Sequence, residues 1–325
     1  MTPQQHGDIM DRISTAILED SLGLKPGEML LVVTDTVRAE LARPVFDKAL
    51  ALGLKASYIE MSPGRVNGEE PPGTVANAML GADAVVAITK ASITHTSAKK
   101  SFVVQGGRII SMPLGVGSNR YIRDIFESGG MTVDVRRMSE NIDLLEARIK
   151  GTRLARVLTG LGTDLTIDYA GREFLRENGI VREPGGFTNL PAGEMWVAPV
   201  SADGTAIIDA SVSNIGRLTS PLELAFAGGR VTSISGDQAE ELERLLAPAG
   251  GQARRIGELG IGMNPRARIC GLMLEDEKVG GTVHIALGNN MDFGGDNDAQ
   301  LHVDMVITGP ELYIDGERVD LHGYL

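Results

Sequence analysis

Between residues 28 and 111, short apolar runs alternate with segments of helical spacing, and this alternation most narrows the folds open to the chain. Residues 28–34 read as a buried strand after the Lys25-Pro26-Gly27 turn, and residues 38–52 carry helical spacing that stops at Gly53. Strands follow at 55–59, 84–88 and 108–111, with a helix allowed around 96–104. Strand and helix in alternation are the pattern of a parallel α/β sheet, so the first part is expected to be a small doubly wound domain. Such sheets bind ligands beyond the carboxyl ends of their strands, which makes His95, in the 89–96 loop, a candidate substrate contact. By itself His95 reads first as an ordinary surface or capping residue.

From about residue 151 the texture changes to glycine-punctuated apolar runs at 205–210, 230–234, 282–287 and 301–307. Short strands between turns imply a mainly antiparallel sheet. One amphipathic helix interrupts them at 237–246, where Ala239, Leu242, Leu245 and Leu246 share a face and Glu240, Glu241, Glu243 and Arg244 meet solvent. The expected architecture is α/β: a doubly wound α/β domain over 1–150 and an α+β domain over 151–325, joined by a linker between 137 and 151.

A chain of 325 residues with 42% apolar side chains has enough surface for two cores. Its net charge of −12 argues against a nucleic-acid partner, which would call for a basic stripe. A single cysteine, Cys270, excludes an internal disulfide and a thiolate-rich metal site, and reads as a small buried apolar residue. The start of the chain has no basic region followed by an apolar one, and no segment has the ~20 consecutive apolar residues of a membrane span, so a cytoplasmic protein is expected.

Against this background five dispersed groups stand out: Glu194, Glu258, His284, His302 and Asp304. Only five histidines occur in the chain, and two lie in this region. In the apolar run 302–307 a strand would put His302 and Asp304 on one face. Small residues flank Glu194 (Pro191-Ala192-Gly193), Glu258 (Gly257, Gly260, Gly262) and His284 (Gly281, Ala286, Gly288). Charged groups in such surroundings are poorly solvated unless a cation compensates them. Three carboxylates and two imidazoles suit one or two divalent ions of the Zn, Mn, Co or Fe kind. Singly, each also reads as a loop carboxylate, a core histidine or a strand-end cap.

The segments 189–199, 257–264, 276–288 and 302–304, in this order, resemble those of the M29 metallo-aminopeptidases, the group of aminopeptidase T. The resemblance covers the C-terminal half and, more loosely, the α/β half. It implies that Glu194, Glu258, His284, His302 and Asp304 are ligands of a two-metal centre (Zn, Co or Mn) in a homodimer. Two departures matter. The resemblance leads one to expect a catalytic tyrosine shortly after His284, where this chain has Met291 in Asn289-Asn290-Met291-Asp292-Phe293. The stretch between His284 and His302 is also compressed, as in the compact branch that includes 2,5-dihydroxypyridine dioxygenases, which use iron.

Two activities follow, with peptide hydrolysis the expected one and ring cleavage by Fe(II) the alternative. As an aminopeptidase on small peptides, the protein would convert a metal-bound water to hydroxide, with Glu194 or Glu277 as proton shuttle. As a dioxygenase, His284, His302 and Asp304 would face one Fe(II), leaving positions for dioxygen and a catechol-like or hydroxypyridine ring. Retention of both glutamates favours the first, the missing tyrosine the second; a metal that only staples the fold is a third possibility. Asp276-Glu277-Lys278 also reads as turn-forming surface charge. Trp196, Met291 and Asp292 join His95 as candidate substrate contacts, Trp196 reading equally as core. Phosphate-loop, H-E-x-x-H and G-x-S-x-G motifs are absent, and residues 115–120 read as a loop.

Overall fold

The computed structural model describes residues 3–115 and 117–325; Met1, Thr2 and Val116, in the N-terminal and 115–120 segments read above, lie outside them. The chain divides into two compact units, Met1–Ser139 with Glu177–Ala192, and Glu140–Arg176 with Gly193–Leu325.

The first unit is built on a five-stranded parallel sheet, in the order Lys55–Met61, Met29–Asp35, Ala84–Thr89, Arg108–Pro113, Phe187–Asn189. Met29–Asp35 and Ala84–Thr89, both interior strands, are buried along nearly their whole length, which is why they read as continuous apolar runs. Leu31, Val33, Val85 and Ala87 pack against Val75 and Met79 of helix Gly73–Leu80 and Phe102 of helix Ser97–Val104. Each large side chain buried there contributes about 1.5–3 kcal/mol. Helix Ser97–Val104 begins where the Thr96 side chain accepts the Lys99 amide. Gly115 and Gly117 lead into helix Asn119–Ser128, capped by Ser118.

The second unit carries two mainly antiparallel seven-stranded sheets. One contains Leu154–Leu158, Asp164–Asp168, Ser201–Ile208, Leu222–Ala227 and Arg230–Gly236; the other has Ile256–Gly262 and Val283–Gly288 near its middle, flanked by Glu194–Val197 and His302–Ile307. The amphipathic helix spans Ala239–Leu246, with Leu242 and Leu246 buried.

The division differs from the expected one at residue 150. The segment expected to be a linker is a helix, Val135–Ile149, and the first crossing, after Ser139, lies inside it. Val135, Met138, Ile142, Leu145 and Ile149 are its buried stripe, at helical spacing. Residues 177–192 return to the first unit, because Phe187–Asn189 pairs in parallel with Arg108–Pro113 as the fifth strand. Among the described residues no helix is long and apolar enough to cross a membrane.

Candidate metal centre

The centre forms on one face of the second sheet of the second unit. Residues directly opposite in a ladder, and residues two apart along a strand, share a face. Glu258 stands opposite Ala286, and Ala286 opposite Asp304; Gly260 stands opposite both His284 and Trp196; Gly262 stands opposite Glu194; and Gly288 opposite His302. All five candidate ligands and Trp196 therefore emerge on the same side. A bulge between Ile256 and Glu258 sets this register. The small residues between the ligands make room: a β-carbon on Gly260 would fall 1.9 Å from His284 Nε2.

His284 is fully buried, its Nε2 3.1 Å from Glu258 Oε1 and 3.5 Å from Glu194 Oε2. His302 Nε2 lies 2.9 Å from Asp304 Oδ1 and 3.3 Å from Glu258 Oε2. Glu258, His302 and Asp304 each offer a ligand atom within 4.8 Å of the others. Two further contacts orient them: His302 Nδ1 lies 2.7 Å from the Asn289 carbonyl oxygen, and Ser213 Oγ donates to Asp304 Oδ2 at 3.2 Å. The Phe293 ring meets the His302 ring edge-on, with centroids 5.9 Å apart.

Beside this group the ammonium of Lys278 donates to Glu194 and lies 2.8 Å from Glu277 Oε1. The Lys278 side chain is 1% exposed and that of Glu277 17%, so the reading of this pair as turn-forming surface charge is corrected. Nothing in the local sequence signals that burial; the lysine goes inside because two carboxylates meet it there.

Four carboxylates, Glu194, Glu258, Glu277 and Asp304, thus gather in this group with a single ammonium among them, an imbalance that cannot be buried without further positive charge. In the protein alone the imidazoles provide it. Burial works to discharge His284, but its hydrogen bond to Glu258 and the charges of Glu194, Glu258 and Glu277 outweigh burial and lift its pKa to about 9. Burial likewise opposes charge on His302, yet Asp304 and Glu258 hold it protonated well above the usual range. Against the upward push of burial, hydrogen bonds with both histidines bring Glu258 down, and His302 brings Asp304 down. Glu277 moves the other way: burial, with Asp304 close by, raises it against the pull of Lys278 and His284.

A divalent cation balances the same charge with both rings neutral, and the donors fit one. With Nδ1–H donating to Asn289, a neutral His302 directs its Nε2 lone pair to the point where the Glu258 and Asp304 oxygens converge. Three acceptors around one point repel each other unless a cation sits among them. All are nitrogen or oxygen, which suits iron, manganese, cobalt or zinc.

Of the candidate substrate contacts, Trp196 is half-buried on the ligand face, whereas Met291 and Asp292 are exposed in a 3₁₀ turn at 291–293. His95 is an exposed residue of the first unit, on the loop after Ala84–Thr89; the helix cap there is Thr96. Sequence reasoning missed Lys278, Ser213, Asn289 and Phe293. Only Asn289 and Phe293, by their closeness to His302 in the chain, carry any local signal.

The profile of a known family, NicX: 2,5-dihydroxypyridine 5,6-dioxygenase, matches residues 16–325. The 2,5-dihydroxypyridine 5,6-dioxygenase of Pseudomonas putida is 25% identical over 199 residues, 55% of this chain and 55% of that protein. Aminopeptidase T of Thermus aquaticus is 29% identical over 180 residues, 48% of this chain and 43% of that protein. The chain spans about half the length of the curated relatives it matches. Among solved structures, the 2,5-dihydroxypyridine dioxygenase from Pseudomonas putida KT2440 superposes with a TM-score of 0.77 at 19% identity, covering 96% of this chain and 95% of that one. AmpT from Thermus thermophilus superposes with a TM-score of 0.67 at 16% identity, covering 96% and 97%. At these identities the likeness shows a common fold, a parallel sheet with two antiparallel ones. With a match running from residue 16 to the last residue, the chain belongs to the 2,5-dihydroxypyridine 5,6-dioxygenase family, in a compact branch related to the M29 aminopeptidases.

Proposed function

We propose that the chain is a mononuclear non-haem Fe(II) enzyme that opens a dihydroxylated aromatic ring, a dihydroxypyridine or a catechol-like compound. The observation that carries this reading over peptide hydrolysis is that, among the described residues of the second unit, no phenol stands at the centre. The tyrosines of the second unit are Tyr169, Tyr313 and Tyr324, and their hydroxyls bond to Thr152, Glu311 and Arg148. Where the peptidases are expected to have their catalytic tyrosine stands Met291, whose thioether has no proton to offer an oxyanion.

Glu258, His302 and Asp304 would hold the metal, Glu258 taking the place expected for His284, whose Nε2 lies 3.1 Å from Glu258 Oε1. Bound Fe(II) would supply the redox chemistry that dioxygen requires and a Lewis acid for a ring hydroxyl. The chain's own groups do the rest. Asn289 and Ser213 fix the orientation of His302 and Asp304, and ligand orientation of this kind is worth about 10–100-fold in metal affinity. Phe293, which meets the His302 ring, and Trp196, on the ligand face, would be the aromatic side chains to stack on a planar ring. Glu277, its pKa raised by burial, is suited to hold a proton taken from a ring hydroxyl.

A second reading, aminopeptidase, is favoured by one observation: Glu194 is present in addition to four donors that already suffice for one ion. The aminopeptidase relatives support it too. The deciding experiment reconstitutes the protein anaerobically with Fe(II) and follows oxygen uptake with 2,5-dihydroxypyridine and with catechol. In parallel, a free dipeptide and its acetylated analogue are assayed with Zn, Co and Mn. Ring-dependent oxygen uptake is expected. Release of the N-terminal residue from the free dipeptide only, without oxygen uptake, would replace this function by the second.

A further inference from the structure

We infer that Lys278 is a built-in second cation: its ammonium takes the place beside Glu194 and Glu277 that a second metal ion would take, and so limits the centre to one ion. The inference rests on the reading of this face as a metal centre and concerns how many ions it admits. The donors fall into two groups. Glu258, His302 and Asp304 converge on one point, while Glu194 and Glu277 converge on Lys278 Nζ. His284 Nε2 lies between, nearer Glu258 than Glu194.

The ammonium is held rather than free to swing aside. Lys278 follows the short helix Met273–Asp276; its amide donates to the Glu275 carbonyl at 3.1 Å and its own carbonyl accepts the Asn264 amide at 2.8 Å. Asp276, two residues earlier, accepts the amides of Cys270 and Gly271 at 2.7 and 2.8 Å and ties the turn to the preceding loop. A metal ion placed between Glu194 and Glu277 would lie within a few ångström of this fixed positive charge, and like charges that close in a buried site exclude each other. The surplus of acids over what one ion needs is thereby explained: Glu194 and Glu277 are matched to the lysine.

The experiment counts metal. Metal-free protein is dialysed to equilibrium against Mn(II), bound manganese is measured per chain, and electron paramagnetic resonance reports whether bound ions couple. Wild type should hold one uncoupled ion. Lys278→Met and Lys278→Gln should hold two, magnetically coupled, and Lys278→Arg, which keeps the charge, should return to one. A folded Lys278→Met with one ion overturns the role of the lysine and leaves the metal centre standing. Wild type with two coupled ions overturns it as well, whatever the variants do. Wild type without any ion defeats the metal reading itself. Should removal of the ammonium alone prevent folding, Lys278→Met is refolded in excess Mn(II), which keeps both carboxylates and lets a second ion replace the lost charge: a folded protein with two coupled ions supports the inference, and one that folds with a single ion, or does not fold at any Mn(II) concentration, overturns it.

Discussion

Gly260→Ala is the substitution for which the structure gives the sharpest expectation. Gly260 lies directly opposite His284, and a β-carbon there would be 1.9 Å from Nε2 and 2.1 Å from Cε1. Nonbonded heavy atoms settle at roughly 3.5–4 Å, so the ring would have to retreat by about 1.5–2 Å. His284 belongs to a strand buried at every position, and the retreat would break its 3.1 Å contact with Glu258. Overpacking costs about 1–3 kcal/mol and the loss of a charge-assisted hydrogen bond about 1.5–3 kcal/mol, so Gly260→Ala should destabilise the metal-free protein by about 3 kcal/mol. The assay is urea unfolding in a double-mutant cycle with His284→Ala. Without the ring the same alanine should cost under about 1 kcal/mol, a coupling of about 2 kcal/mol. Equal cost with and without His284 would refute the idea that this glycine exists to admit the imidazole, and so would Mn(II) affinity unchanged by Gly260→Ala.

Other expectations are smaller in scope. Ser213→Ala removes the donor to Asp304 and should weaken Mn(II) binding by about 10-fold in a chelator competition; unchanged affinity would show that this hydroxyl does not orient the ligand. Saturating metal at about 100 times its dissociation constant should stabilise the protein by about 2.7 kcal/mol, read as a rise in Tm that a chelator reverses, and no rise would mean no folded-state site. Burial foremost, with Asp276 and Glu275 close by, pushes the Cys270 thiol up to about 12 from 9, so its alkylation at pH 8 should be about 1000-fold slower in the native protein than in urea. Rates within about 10-fold would contradict that. Burial lifts the Tyr169 phenol to about 12 from 10 despite its bond to Thr152. The folded state thus keeps a proton that the unfolded state releases: the stabilisation is full below pH 10 and is lost as pH rises through 12. Between pH 10 and 11, wild type should lose roughly 1 kcal/mol more than Tyr169→Phe, by unfolding titrations; identical slopes would assign the alkaline loss to other groups.

What can be read from the chain alone depends on the range over which the deciding interaction acts. His302 and Asp304 are legible as a pair because alternation along one strand is local, and the parallel sheet is legible because its buried strands are short apolar runs between helical segments. The fifth strand, Phe187–Asn189, is not, since three residues carry no period. Helix Val135–Ile149 does carry one, but Arg136, Arg137, Glu140 and Asp143 interleave with its buried stripe and give it the polarity of a linker. Glu194 and Glu258 are singled out by their small neighbours, yet their meeting with the histidines depends on strand register and on the bulge before Glu258, which tertiary pairing fixes.

Lys278 marks the far limit of such reading. A charged residue in an acidic turn has every local reason to face water, and what turns it inward is a set of carboxylates brought from Glu194 and Glu277, 84 residues apart from it in one case and adjacent in the other. Its burial is intelligible only after the acids are placed. By the same logic, the number of ions the centre admits follows from how the acids are shared between metal and lysine, and no inventory of ligands along the chain determines that division.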